Sequence, residues 1–324
     1  MSEAFWRRQQ LAARLARDGV LRDERVGAAI EDVPRHVFAP DASIERAYED
    51  RVLRVKEHEG VVLSTLSQPA MIVEMLEQLD VQPADRVLEI GTGSGYTSAL
   101  LAHLTGKDGS VVTIDLESDL AEAASLRFQQ LGITNVESFS GDGAFGAPER
   151  GPFDRILLTA ATSDIELAWW NQLGAAGRIV LPLSLTCMQK SIAFDRSGAT
   201  LQSVSAVDCA FIMARGAAKG ECFISIAGDP TIRIVSDHEL NVDVPMIAHR
   251  LRRERPVHRA IETHVTFADV INAVGPWITT QDSRACRLET LTRDTPPAYQ
   301  MTIGLCDADS VAVTPQGESR RRPG

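Results

Sequence analysis

The sequence predicts an α/β fold: a mostly parallel sheet with crossover helices, preceded by N-terminal helices and followed by a small α+β domain. Three observations predict it. From Arg86 onward, short apolar runs alternate with segments of helical period, the order that parallel strands joined by crossover helices require. The first run, residues 87–90, leads straight into Gly91-Thr-Gly-Ser-Gly95. Glycine at alternate positions marks a turn whose backbone approaches a ligand closely or takes positive φ. The next run, residues 111–115, ends in Asp115, and an acid at the end of the second strand of a βαβ nucleotide site hydrogen-bonds a ribose hydroxyl.

In chain order, residues 4–16 read as an amphipathic helix stopped near Asp18-Gly19. Asp23 is a good N-cap for a second helix ending before Pro34, and residues 35–53 carry no firm assignment. In residues 63–71, Ser67 reads as the N-cap and Pro69 as a first-turn residue of a further helix. Ile72, Met75, Leu76 and Leu79 then fall at i, i+3, i+4 and i+7, one buried face. The sheet follows. Its expected strands are residues 87–90, 111–115, 136–140, 156–158 and 178–183, with helices over 96–104, 118–131 and 163–173. Gly132 supplies a helix stop, and Asp195-Arg-Ser-Gly198 signals a hairpin between 191–194 and 200–204. After Gly216 the pattern changes to strand-like pieces at 222–226, 232–235, 257–265, 301–305 and 310–313, with a short helix between Thr266 and Gly275-Pro276. The expected organisation is therefore 1–80, a helical region carrying the Ser-Gln-Pro segment; 81–216, the nucleotide-type core; 217–313, an α+β domain; and 314–324, a disordered tail.

Composition narrows the function. The chain has 324 residues and a net charge of −11, which argues against a phosphate-backbone partner, since such binding needs clustered Lys and Arg. Five widely spaced cysteines without a C-x-x-C fit reduced thiols better than a disulfide framework or a zinc site, so no metal is expected. No apolar run is long enough to span a bilayer, and residues 2–8 lack the apolar core of a signal peptide. A soluble cytoplasmic protein without a membrane partner is expected.

The turn departs from the dinucleotide fingerprint, because its spacing is G-x-G-x-G with Tyr96 where a last glycine would fall. Glu89 with Gly91, Gly93 and Gly95 resembles the first motif of S-adenosylmethionine-dependent methyltransferases. Ser140-Gly-Asp-Gly143 follows the third strand, Leu158-Thr-Ala-Ala161 ends the fourth, and Thr65-Leu-Ser-Gln-Pro69 precedes the sheet. Together these segments resemble the protein-L-isoaspartyl O-methyltransferase family over about residues 21–215. The resemblance implies a class I methyltransferase (Rossmann-like) core using S-adenosyl-L-methionine and releasing S-adenosyl-L-homocysteine. It implies a cofactor set of Glu89, Gly91, Thr92, Gly93, Gly95, Asp115, Leu116, Asp142, Gly143 and Thr159, with Asp115 on the ribose and Asp142 on the adenine. It puts Ser67 beside the methyl-accepting carboxylate as the catalytic residue, with Thr65, Gln68 and Pro69 shaping the substrate pocket. Plainer readings stand beside these roles: Ser67 as a helix cap, Asp115 as a strand-end acid and Asp142 as a turn residue.

Two departures shift the expected substrate. The loop before T-x-S-Q-P is Glu57-His-Glu-Gly-Val-Val62, not the glycine- and glutamine-bearing loop of repair members, and the chain continues well past the last sheet strands. Cys209-Ala-Phe-Ile-Met-Ala-Arg-Gly216 and residues 276–288 resemble a divergent branch that accompanies ribosomally made, modified peptides such as lanthipeptides, graspetides and lasso peptides. That resemblance implies methylation of one aspartate in a macrocyclic precursor peptide, leading through aspartimide to isoaspartate. The alternatives are repair of isoaspartyl residues in aged proteins and, of another class, a non-catalytic module that binds cofactor or peptide. The added C-terminal part is expected to recognise substrate, or else to cover a sheet edge or support a homodimer. His258 and His264 read as structural, and Trp169, Trp170 and Trp277 as core or interface residues.

Overall fold

The structure is a computed structural model and describes residues 2–185, 188–217, 222–225, 232–236, 243, 245–247, 285–291, 299–306 and 311–313. The chain forms two compact units, residues 1–183 with 190–219, and residues 184–189 with 220–324.

The first unit opens with α1 (Glu3–Arg17), capped by the Ser2 hydroxyl, and α2 (Glu24–Asp32), capped by the Asp23 carboxylate. The segment left unassigned contains a 3-10 turn (Arg35–Phe38), the one-turn helix α3 (Ile44–Ala47) and the start of β1 (Leu53–His58). β1 pairs antiparallel with β2 (Val61–Leu66). Glu59 and Gly60 both take positive φ at the tip, so the departing loop is a tight two-residue hairpin turn. Next comes α4 (Pro69–Leu79), whose N-cap is Gln68 with no side-chain capping bond. Ser67 is therefore not the N-cap. The Asp50 carboxylate takes the bond from Ala70 N–H instead, at 2.9 Å.

The sheet comprises β3 (Arg86–Ile90), β4 (Ser110–Asp115), β5 (Val136–Ser140), β6 (Phe153–Leu158), β7 (Leu173–Ser184), β8 (Gln189–Ser197) and β9 (Thr200–Cys209). Their spatial order is β5-β4-β3-β6-β7-β8-β9, and the β5–β4, β4–β3, β3–β6 and β6–β7 pairings are parallel. The crossover helices are α5 (Tyr96–Thr105), α6 (Ser118–Gln130) and α7 (Leu167–Gln172). Successive strand residues face opposite sides, so the sheet feeds two cores. Val87, Val111, Leu157 and Val180 pack with the N-terminal helices, α4, α5 and α6. Leu88, Val112, Ile156, Ile179 and Trp169 form the other core.

Several expected bounds move. β6 begins at Phe153 rather than 156, and β7 at Leu173 rather than 178. The helix expected over 163–173 shortens to α7, because Thr162 N–H instead bonds Pro182 C=O at 3.0 Å and its hydroxyl bonds Asp164 C=O at 2.8 Å. In the second unit, β10 (Cys222–Ser225), β11 (Ile232–Ser236), β12 (Ala285–Leu291), β13 (Tyr299–Cys306) and β14 (Val311–Val313) form an antiparallel five-stranded sheet in chain order. β12 was not among the expected strands. The expected 257–265 strand, the helix after Thr266, His258, His264, Trp277 and the tail lie outside the described residues. Among the described residues, no helix is long and apolar enough to cross a membrane.

Candidate active site

β3 ends at the centre of the sheet, and the chain must turn there to enter α5. Gly91 takes φ +102°, and a Cβ on it would lie 2.4 Å from Thr159 Oγ1. Thr159, just beyond β6, donates its hydroxyl to Gly91 C=O at 2.6 Å and so pins the turn. Gly93 N–H donates to Asp115 Oδ2 at 2.7 Å, and Glu117 N–H to Asp115 Oδ1 at 3.0 Å. Burial raises the Asp115 pKa above the usual carboxylate value, and these two donors offset that only in part.

Below the turn lies Glu89, fully buried and in register with Thr113 of β4 and Leu157 of β6. Its Oε2 accepts from the Thr113 hydroxyl at 2.7 Å and from the Ser98 hydroxyl. Its Oε1 is buried and has no hydrogen-bond partner among the described residues. Burial pushes its pKa up to about 7. A buried acceptor without a donor is costly, and a cationic or N–H-bearing ligand group at the turn would relieve it.

These residues border an open cleft. The structure brings Thr65, Gly91, Gly93, Asp115, Leu116, Gly143 and Thr159 together on its lining. Glu89, Thr92 and Gly95 sit behind that surface: Thr92 Oγ1 bonds Thr113 Oγ1 at 2.8 Å, and Gly95 packs on Ala124 and Phe128 of α6. Asp142 caps the 3-10 turn at Gly143–Phe145 through Ala144 N–H at 3.0 Å, and its second oxygen accepts from Ala217 N–H at 2.7 Å. The turn-residue reading therefore holds for Asp142 whatever else it binds.

Ser67, Gln68 and Pro69 do not line this cleft but lie where β2 passes into α4. Gln68 Nε2 donates to Asp50 Oδ2 at 2.9 Å, and Pro69 is buried as the first helical residue. Arg35 holds Ser67 from below. Its guanidinium is wholly buried, donates to Ser67 C=O at 2.8 Å and to Ala47 C=O at 2.9 Å, and stacks 5.0 Å from the Tyr96 ring centre. Burial lowers its pKa to about 10, so it stays charged at neutral pH.

Sequence reasoning missed part of the rim. Residues 212–215 close one side, fixed by Ala161 N–H to Ile212 C=O at 2.9 Å and Ala214 N–H to Ala161 C=O at 2.7 Å. Arg215 reaches Glu117 Oε1 at 2.7 Å, and Lys56 of β1 bonds the other Glu117 oxygen. Those bonds, Lys56 first and then Arg215, lower the Glu117 pKa. An acid two positions past Asp115 was the only local hint of this link. Trp169 lies on the lining as well as in the core, donating Nε1–H to Gly143 C=O at 2.8 Å.

A parallel sheet with a glycine turn after its central strand, a neighbouring strand-end acid and a cleft over both defines an S-adenosylmethionine-dependent methyltransferase, whose product is S-adenosylhomocysteine. The orphaned Glu89 oxygen and the side-chain-free Gly91 and Gly93 fit that cofactor. Comparison with known proteins narrows the class. The profile of the protein-L-isoaspartate(D-aspartate) O-methyltransferase family matches residues 6–219, and the chain belongs to that family. It is thus a carboxyl methyltransferase. A protein-L-isoaspartate O-methyltransferase of Roseiflexus sp. (strain RS-1) is 38% identical over 192 residues, 59% of this chain and 84% of that protein. One of Methanoculleus marisnigri is 44% identical over 161 residues, 50% and 70% of the two chains. A solved protein-L-isoaspartate O-methyltransferase superposes with TM-score 0.60 at 32% identity, covering 64% of this chain and 66% of that one. A Plasmodium falciparum structure, solved with S-adenosyl-L-homocysteine, shares the fold at TM-score 0.56 and 20% identity, covering 64% and 98% of the two chains.

Proposed function

We propose that the protein methylates the free carboxylate of isoaspartyl residues in polypeptides. The observation that carries this reading is the single cleft joining the Gly91–Asp115 cradle to Thr65, in a chain of this family. In this reading Gly91 and Gly93 form the surface for the cofactor's methionine end, Thr92 and Gly95 shape the turn from behind, and Glu89 Oε1 answers the cofactor's amino group. Asp115 holds the ribose, while Leu116, Gly143 and Asp142 flank the adenine. S-adenosylmethionine, when bound, supplies a methyl group already activated by its sulfonium charge. The acceptor carboxylate is an anion at neutral pH, so the chain need not supply a general base. Its task is alignment and water exclusion. Thr65 on the lining and Ser67 beside it orient the carboxylate, while Gln68 and Pro69 shape the segment that carries them. The ester then suits attack by the next backbone nitrogen, which expels methanol and closes an aspartimide ring; hydrolysis of the ring gives aspartate or isoaspartate.

A second reading is an ordinary aspartate within a macrocyclic, ribosomally made peptide. It is favoured by the tight turn at Glu59-Gly60, which stands in place of the glycine- and glutamine-bearing loop expected of repair members, and by the second unit beyond residue 219. In this reading that unit recognises the constrained peptide. Offering a linear isoaspartyl peptide and a cyclised peptide with a normal aspartate, and following methyl transfer by mass spectrometry, separates the two. Efficient ester formation on the linear isoaspartyl peptide supports the first reading. Turnover of only the cyclic one replaces it with the second.

A further inference from the structure

A second open cleft lies between the 38–42 segment, β1 and α6. Phe38, Leu53 and Val55 contribute apolar lining, and Arg46, Arg54 and Arg127 contribute three guanidinium groups against one carboxylate, Asp41. In a chain of net charge −11 this is a local reversal of sign. Arg54 pairs with Glu57 at 3.0 Å. Glu45, beside Arg46, turns instead to Arg7 at 3.4 Å, and Arg46 has no ion pair among the described residues. Arg127 is half-buried. It spends one donor on Ser94 C=O at 3.2 Å, inside the glycine turn, and Asp41 is the carboxylate that acts on it.

The cleft's position gives this charge a use. Leu53 on its lining pairs with Leu66, the residue before Ser67, and Arg54 pairs with Thr65 of the cofactor cleft. Arg127 meanwhile touches the turn that cradles the cofactor. One arm of the cleft thus borders the acceptor segment and the other the cofactor turn. A polypeptide whose reacting residue sits at Ser67 has its neighbouring residues within reach. We propose that this cleft binds an acidic flank of the polypeptide substrate, with Arg46, Arg54 and Arg127 receiving side-chain carboxylates. The proposal rests on the polypeptide-substrate reading above. Guanidinium–carboxylate bonds supply the selectivity, and Phe38, Leu53 and Val55 accept the aliphatic stem of a glutamate.

The test uses the full chain with S-adenosylhomocysteine and two fluorescein-labelled isoaspartyl hexapeptides, one flanked on both sides by Glu and one by Gln. Anisotropy is expected to show the Glu peptide binding about fivefold tighter at low salt, the size of two partly exposed ion pairs. The gap should close at about 0.5 M salt, where such pairs are screened. The double variant Arg46→Glu/Arg54→Glu should reverse the preference. Should it fail to fold, Arg46→Gln/Arg54→Gln should bring the ratio toward one. Equal binding by the native protein, or an unchanged ratio in a folded variant, overturns the proposal. Methyl transfer measured on the same peptides keeps the two claims apart. Ester formation without a flank preference overturns the cleft alone; flank preference without ester formation overturns the substrate reading and supports the cleft.

Discussion

The proposed active site has two walls: the cofactor turn, lined by backbone, and the Ser67 segment beside the cleft, held by side-chain props. On the cofactor side, the turn after β3 is held by Thr159 on Gly91 C=O and by Gly93 N–H on Asp115, all at the ends of neighbouring parallel strands. On the proposed acceptor side, Ser67 and the start of α4 are held by Arg35 and Asp50, which come from an irregular stretch rather than from strand ends. Arg35 stacked on Tyr96 links the two sides. A backbone cradle fails as a whole when one glycine gains a side chain. A propped wall can lose one contact and still present its residues, less well aimed. The two walls should therefore fail differently.

The largest effect belongs to Gly91→Ala. The substitution combines φ +102° with a Cβ 2.4 Å from Thr159 Oγ1, so either the turn or Thr159 must move. Strain of about 1–3 kcal/mol plus the lost Thr159 bond predicts at least about a hundredfold weaker S-adenosylhomocysteine binding by calorimetry. Near-native affinity would mean the cradle is not rigid. Next comes Glu89→Gln. Since the pKa of Glu89 is raised to about 7, the folded protein keeps a proton that the unfolded chain has lost above about pH 4.5. Stability of the cofactor-free protein should therefore fall as pH rises from about 4.5 to 7 and level off above, by up to about 3 kcal/mol. Urea denaturation across that range should show the slope in the native protein and its loss in the variant.

Arg35→Met tests the other wall. It leaves the Ser67 and Ala47 carbonyls without their donor, while sparing the cost of a buried guanidinium, for a net loss of about 2 kcal/mol. Methylation efficiency should fall at least about tenfold, following the displaced acceptor segment. Cofactor affinity should change less than about threefold, and a parallel fall in both would show that the Tyr96 stack makes the two walls one unit.

How much of this was legible follows the same division. The strands at 87–90 and 111–115 were readable because buried parallel strands are apolar runs that stop at glycine or acid. Asp115, Gly91 and Gly93 fell into place because their geometry is local to a βα turn. The first part of β7, Leu173-Gly-Ala-Ala-Gly177, gave no strand signal because small residues carry little β preference. The β1–β2 hairpin went unassigned for a different reason: of β1 only Leu53 is buried, and Val61 is 60% exposed, so apolar alternation does not report its pairing. Arg35, Asp50 and the Lys56–Glu117–Arg215 link were invisible because each joins residues brought together only by the fold.

Ser67→Ala is the smallest and most pointed change. By sequence Ser67 looked like an N-cap, whose loss would cost about 1 kcal/mol of stability. In the structure Gln68 holds that position and Asp50 accepts from Ala70 N–H, so the Ser67 hydroxyl has no capping duty to lose. The Arg35 bond to Ser67 uses the backbone carbonyl and survives the substitution. Thermal unfolding should therefore shift by less than about 0.5 kcal/mol equivalent, the usual range for a change away from caps and core. In the proposed reading the hydroxyl faces the acceptor carboxylate, so its removal should slow methylation about tenfold, the worth of one hydrogen bond to a charged group. Cofactor affinity should stay unchanged, because the cradle opposite is built without this side chain. A lowered melting temperature with an unaltered rate would return Ser67 to a structural role and move the acceptor site elsewhere on the propped wall.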